Sequence, residues 1–369
     1  MPLAHESHLL ARAQRWLDVR NRSGQCLRTP EVIIMGVNNT CNLHCSMCDV
    51  GTGAKDTNFS RSLIGARPMN MPLDLLARII RDAAAFSPLP EIGFAFTEPG
   101  IYPHIVEGIR LAARAHMRPS LTTNGWTLER LAPRLAGAGL RALYVSIDGT
   151  REVHDRVRGK AGSFDAAIAG IVALRRLRAI PTHLFCAITT ENVGQLGAFA
   201  EAMRAVPIDS LTFMHTNFVT TEMAARHNGG PGARYPATTS SIAQFDPLLV
   251  DVEELSRELQ GLREDRTFPF RLSLQPDLWS PEDLRVYYRD AGKPIGTRCV
   301  EPFKYLMVKS SGDVIAAHGR CYDVKVGNCY EAPLEEIWNS PTFRQFRQTL
   351  VESGGMMPAC TRCCGSFGS

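Results

Sequence analysis

The chain has 369 residues, a formal net charge of +4, an apolar share of 44% and a charged share of 21%, the balance of an ordinary globular protein of about two units with chain enough for a large core. So small and dispersed a charge excludes nucleic acid and membrane surfaces as expected partners, no apolar run approaches the roughly 20 residues of a membrane span, and the opening "MPLAHESHLLARAQRWLDV" lacks the basic start and apolar centre of a secretion signal. The chain is therefore expected in the cytoplasm, where its eleven cysteines point to metal binding or catalysis rather than disulfides.

Residues 1–30 read as an amphipathic helix and a lead-in. Over 31–217, short apolar runs alternate with helical patterns. Strands are expected at "VIIMGV" (32–37), "EIGFAF" (91–96), "PSLTTN" (119–124), "ALYVSID" (142–148), "THLFCAIT" (182–189) and "SLTFMHTN" (210–217). Between them lie helices such as "PLDLLARIIRDAAAF", "IVEGIRLAARAHM" and "SFDAAIAGIVALRRL", with Pro72 and Ser163 suited to helix starts. Strands of this kind separated by helices predict a parallel sheet, here an α/β partial (β/α)6 barrel resembling a TIM barrel. Chemistry in such a sheet gathers at the carboxyl ends of the strands. Cys41, Cys45 and Cys48 follow the first strand, "TEPG" the second, "TTNG" the third and "SIDG" the fourth.

Residues 218–298 are less regular and rich in Gly, Pro, Ser and Thr ("HNGGPGARYPATTSS"), which marks a connecting or substrate loop. Residues 299–369 form a small α+β domain, with a hairpin flanking Gly312 and Asp313 and a helix over about 334–350. It holds Cys299, Cys321, Cys329, Cys360, Cys363 and Cys364. Cys26 and Cys186 read as small core residues.

Three thiols within eight residues suit either a zinc ion, with His44 offering a fourth ligand, or a cubane cluster. A four-iron cluster usually takes four thiolates, so three leave one iron open to another ligand. The Cys-x3-Cys-x2-Cys loop after a first strand resembles the radical S-adenosylmethionine (SAM) superfamily, over roughly residues 30 to 220. That resemblance implies a [4Fe-4S] cluster on Cys41, Cys45 and Cys48, its open iron chelated by SAM. Met47 takes a position that is usually aromatic and would pack on adenine. "GFAFTEPGIYP" resembles the family's glycine-glycine-glutamate segment, which implies that Glu98 reaches the SAM amino group, although Phe96 and Thr97 stand where glycines are common. Thr97, beside Glu98, is expected among the SAM contacts too; "TTNG", "VSIDGTREVHDRVRGKAGSF" and "ITTENVGQL" are similar to the later strand ends, and imply SAM contacts from Thr123, Asn124, Ser146, Asp148, Arg158 and Asn192.

Cys299, Cys321, Cys360 and Cys363 suit a structural zinc, or a second [4Fe-4S] cluster, which the resemblance of this region to a twitch domain, the shortened relative of SPASM, implies. Cys329 and Cys364 are left over. Cys364 could replace Cys363 as a ligand, and either thiol could return a hydrogen atom to a substrate radical.

The resemblance implies an enzyme that draws an electron from an external reductant such as flavodoxin or ferredoxin and makes a 5′-deoxyadenosyl radical. The expected substrate is a small polar metabolite of sugar, aminocyclitol or nucleoside type. The expected reaction is its oxidation (dehydrogenation) in natural-product biosynthesis, with the auxiliary cluster as electron acceptor. Epimerisation, deoxygenation, sulfur insertion and ribosomal-peptide maturation are the alternatives. A peptide substrate is ranked lower because only 31 residues precede the first strand, whereas a separate recognition domain needs roughly 80. Candidate substrate residues are His215, Asn217 and Glu222, with Tyr287, Tyr288 and Arg289 closing over the pocket.

Overall fold

The computed structural model describes residues 13–64, 67–242, 244, 246–317, 319 and 321–367. The expected N-terminal helix lies partly outside these; its described part is helical over 13–18. The barrel elements run β1 (Val32–Met35), α1 (Asp49–Thr52), α2 (Asn58–Leu63), α3 (Leu73–Ala83), β2 (Glu91–Phe94), α4 (Ile105–Arg114), β3 (Pro119–Thr123), α5 (Leu128–Ala136), β4 (Ala142–Ser146), α6 (Arg151–Val157), α7 (Ser163–Leu177), β5 (Thr182–Ile188), α8 (Leu196–Ala202) and β6 (Ser210–His215). Beyond them come α9 (Thr221–Asn228), α10 (Val252–Glu264), β7 (Arg271–Gln275), α11 (Pro281–Arg289), β8 (Tyr305–Val308), β9 (Asp313–Ile315), β10 (Lys325–Asn328), α12 (Leu334–Trp338) and α13 (Pro341–Glu352).

The six expected strands form in order and pair in parallel. Each stops short of its expected carboxyl end, because the last residues leave the ladder to build the site. Along the strands, alternate residues face opposite sides. Leu121, Val145, Cys186 and Phe213 are buried under the helices, while Thr122, Ser146, Ala187 and Met214 are only half-buried and line the barrel interior. The period of two thus sends one set to the core and the other to the cavity.

Three features depart from the expected layout. The stretch 218–298 is irregular over 229–242, as its Gly, Pro, Ser and Thr content predicts, but elsewhere folds into α9, α10, β7 and α11, each helix opened by a side-chain cap. Thr220 accepts from Met223 N–H, Asp251 from Glu254 N–H, and Ser280 from Asp283 N–H. β7 joins β6 in parallel as a seventh barrel strand. The C-terminal hairpin, in turn, continues the barrel sheet. β8 lies parallel to β1 and turns antiparallel into β9 and β10, giving the ten-stranded order β10-β9-β8-β1-β2-β3-β4-β5-β6-β7. The single helix expected over 334–350 is two, parted at Asn339 and Ser340, where Ser340 caps a new start with Pro341 in its first turn. Among the described residues no helix is long and apolar enough to cross a membrane.

Candidate active site

Cys41, Cys45 and Cys48 line one cavity of about 320 Å³ at the carboxyl ends of the strands. Their loop is clamped to the end of α6: His44 N–H donates to Arg158 O at 3.1 Å and Ser46 N–H to Val157 O at 2.9 Å. The approach requires Gly159. Its φ is +64°, and a β-carbon there would stand 2.6 Å from the His44 carbonyl oxygen. Burial pushes the Cys45 thiol up to about 12, opposed by the Arg158 guanidinium, and also raises Cys41. His44 itself is exposed and outside the cavity lining, so the fourth ligand of the zinc alternative is missing there.

Of the residues assigned to SAM, Met47, Thr97, Thr123, Asn124, Ser146 and Arg158 line this cavity. Arg158 carries a guanidinium into it, Nε 2.5 Å from the Asp148 carboxylate and NH1 3.7 Å from Cys45 Sγ. Asn124 donates to Asn42 Oδ1 at 2.9 Å and, more weakly, to Cys41 Sγ at 3.9 Å. The chain between β2 and Glu98 keeps a left-handed backbone without glycine, with φ +64° at Phe96 and +41° at Thr97. Such conformations cost of order 1–3 kcal/mol each in a non-glycine residue. The Thr97 hydroxyl, 2.6 Å from Asn38 Oδ1, helps to hold the turn.

Glu98, Asp148 and Asn192 lie behind the wall rather than in it. Glu98 is fully buried, and its carboxylate accepts from Gly100 N–H and the Thr123 hydroxyl, each at 2.6 Å, and from Asn124 N–H at 2.7 Å. Those bonds tie the end of β2 to the end of β3 and leave the carboxylate off the cavity, which corrects its expected contact with the SAM amino group. Asn192 is likewise spent internally: Nδ2 donates to Asp148 O at 2.8 Å and Ala187 O at 2.7 Å, and Oδ1 accepts from Thr189 N–H at 2.8 Å. Asp148 accepts from Ala187 N–H at 2.8 Å while pairing with Arg158. These residues place the wall; they do not face its contents.

A second cavity is lined by Cys299, Cys321, Cys360 and Cys363 together, with Glu301, Tyr322 and Asn217 among its other walls. Burial raises the thiols of Cys299, Cys321 and Cys360. Among the described residues no three His, Cys, Asp or Glu side chains converge as one metal ion requires. A lone zinc needs its sulfurs about 2.3 Å from one centre, whereas a four-iron cluster carries its own irons and sulfides between the thiolates. Cys364 is not in this set. It lines the first cavity, its Sγ 3.3 Å from Asn217 Nδ2 and its N–H donating to Asn217 Oδ1 at 3.0 Å. Among the described residues, Asn217 is the one found in both linings.

Other expected residues lie elsewhere. Cys329 is buried beside Arg78 and Asp82 of α3 and lines neither cavity. Glu222 pairs with Arg226 on the surface, and exposed Arg289 donates to Leu248 O. Tyr287 and Tyr288 do not close over the pocket. They are fully buried behind His215, with Tyr288 OH 2.9 Å from His215 Nδ1 and Tyr287 OH donating to the carbonyls of Thr216 and Arg362, both at 3.1 Å. His215 lines the first cavity, and burial lowers its pKa to about 3. Sequence reasoning missed Arg362, inside the Cys360–Cys363 loop. Buried, it donates to the carbonyls of Val286, Tyr287, Asp290 and Lys293 and so caps the end of α11.

Residues 35–203 match the sequence profile of the radical SAM superfamily, and residues 299–364 that of SPASM, an iron-sulfur cluster-binding domain. Fe-coproporphyrin III synthase of Methanosarcina barkeri is 30% identical over 185 residues, which are 50% of this chain and 43% of that protein, so the match spans less than half of the relative. AdoMet-dependent heme synthase of the same organism is 24% identical over 322 residues, 86% of this chain and 85% of that one. In fold, the chain resembles Streptococcus suis SuiB bound to S-adenosylmethionine, with a TM-score of 0.60 and 16% identity over 93% of this chain and 73% of that one. SuiB has also been crystallised with its precursor peptide SuiA. The two matched domains imply SAM and two [4Fe-4S] clusters, and the separate sets of three and four cavity-lining thiols fit that complement.

Proposed function

The chain belongs to the radical SAM superfamily and carries a SPASM-type domain, and from that premise we propose that it removes a hydrogen atom from a carbon of a small polar metabolite and oxidises it by two electrons, as from alcohol to ketone. The substrate is of sugar, aminocyclitol or nucleoside type, met in natural-product biosynthesis, and an external donor such as flavodoxin or ferredoxin supplies the priming electron.

The observation that carries this reading is the thin wall between the two cavities. Asn217 belongs to both, and Cys364 in the first is followed back along the chain by Cys363 in the second. When bound, SAM and the cluster on Cys41, Cys45 and Cys48 supply a 5′-deoxyadenosyl radical, and the cluster on Cys299, Cys321, Cys360 and Cys363 supplies an electron acceptor. The chain's own part is placement. Four thiols in the second set leave no open coordination site for substrate. Met47, Val50, Phe59 and Phe96 give the first cavity an apolar side that keeps water from a reactive carbon, while Ser146, Arg158, His215 and Asn217 offer polar contacts.

Cys364 supports a second reading. Its place in the first cavity would let its thiol return hydrogen to the substrate carbon and give an epimer. A peptide carrying the reacting residue is not ranked lower than a free metabolite, given the fold likeness to SuiB. Reaction in deuterium oxide tests the proposal: oxidation yields a product two mass units lighter with no deuterium at the reacting carbon, whereas one deuterium there, lost in Cys364→Ala, would overturn it.

A further inference from the structure

Tyr322 sits where the barrel, the 218–250 segment and the second cysteine set meet. Its hydroxyl is 3.0 Å from Cys360 Sγ and 3.4 Å from His227 Nδ1, and its ring stacks on His227 with centroids 4.6 Å apart. The histidine is fixed. His227 Nε2 lies 2.9 Å from Tyr235 O, and a carbonyl only accepts, so Nε2 carries the proton and Nδ1 is bare. Gly232 closes over the ring so tightly that a β-carbon there would fall 2.1 Å from it. Ala359 N–H, on the segment leading to Cys360, points at the same Nδ1 from 3.5 Å. Histidine, tyrosine and the Cys360 turn therefore form one packed unit.

Only one donor direction remains once Cys360 is a ligand. A metal-bound cysteine is a thiolate and cannot donate, so the proton between the two atoms must belong to the phenol. The phenol then chooses between a charged sulfur at 3.0 Å and a neutral nitrogen at 3.4 Å, and the charge-assisted bond is stronger.

We infer that Tyr322 is a positioning residue for electron transfer: its O–H···S bond to Cys360 raises the reduction potential of the auxiliary site and fits it to accept an electron. A donor to a ligand sulfur withdraws electron density, which favours the reduced, more negative cluster over the oxidised one. No bond to iron is made or broken by the tyrosine. This inference rests on the four-cysteine ligand set proposed above and gives its electron-accepting role a structural cause.

The test is a spectroscopically monitored redox titration of the full chain reconstituted with iron and sulfide, in a Cys41→Ala, Cys45→Ala, Cys48→Ala background that isolates the auxiliary signal. Tyr322→Phe should keep its iron and show a lower midpoint potential, and 3-fluorotyrosine at position 322, a stronger donor of nearly the same shape, should show a higher one. Unchanged potentials in both variants overturn the inference. Loss of iron from Tyr322→Phe with no rise in the fluorotyrosine protein overturns it too, because the side chain would then only hold the fold. Cys360→Ala in the same background separates the underlying reading: full iron retention there rejects the ligand set itself, whatever Tyr322 does.

Discussion

Arg158 reaches Asp148 and Cys45 at once, its Nε 2.5 Å from the Asp148 carboxylate and NH1 3.7 Å from the Cys45 sulfur. Asp148 is fully buried and the Arg158 side chain is 11% exposed, so neither charge has water to fall back on. Arg158→Met should destabilise the protein by about 3–5 kcal/mol, because it leaves a buried carboxylate unpaired. Arg158→Met with Asp148→Leu should recover much of that. Thermal unfolding of the two variants checks the ordering, and equal losses would show that the pair is not coupled.

Glu98 gives a prediction of opposite character. Its two oxygens accept three hydrogen bonds from the chain, and an amide nitrogen cannot accept any of them. Glu98→Gln should therefore cost about 1–3 kcal/mol of stability, and SAM affinity should fall with it as Thr123 and Asn124 lose their placement. Thermal unfolding and SAM titration read both. Full stability with lost SAM binding would return the carboxylate to the SAM amino group.

The contrast between Glu98 and Arg158 marks what was legible in the sequence. The apolar runs located six strands, and the short motifs after them located the cavity, because a parallel sheet sends each strand's carboxyl end to one rim. Which way a side chain points at that rim was not legible. The left-handed turn at Phe96 and Thr97 turns Glu98 inward, and neither residue type announces positive φ. β7, "RLSLQ", was hidden by its polar edge position, and α9 to α11 were hidden by their high polar content. The cysteine spacing separated the two thiol sets, yet it could not send Cys363 and its neighbour Cys364 to different cavities. That division depends on Arg362 anchoring the loop to α11 and on Asn217 holding Cys364.

Cysteine substitutions should divide along the same line. Cys364→Ala and Cys329→Ala should both keep the full iron content of the reconstituted protein, since neither lines the second cavity. Cys329→Ala should cost about 1 kcal/mol through the small void it leaves in the core. Iron analysis and thermal unfolding decide it; iron lost from Cys364→Ala would place that sulfur among the ligands.

Two buried histidines predict a pH response. Burial, with Arg158 nearby, lowers His154 to about 4, and burial lowers His215 to about 3. Both values lie below the ordinary 6.5, so as pH falls the unfolded chain takes up these protons first. Their contribution is complete above pH 6.5 and is lost as pH falls toward the folded values, with a slope approaching about 3 kcal/mol per pH unit for the two together. Ring resonances from labelled histidine should show neither residue titrating between pH 5 and 8. An inflection near 6.5 for either would contradict its burial.

The most direct test of the account as a whole is reductive SAM cleavage by the anaerobically reconstituted protein, measured beside its iron content, with Cys41, Cys45 and Cys48 replaced together by alanine. The account predicts that 5′-deoxyadenosine formation ceases while about half of the iron stays on the second cysteine set. Continued 5′-deoxyadenosine formation in that variant would contradict it.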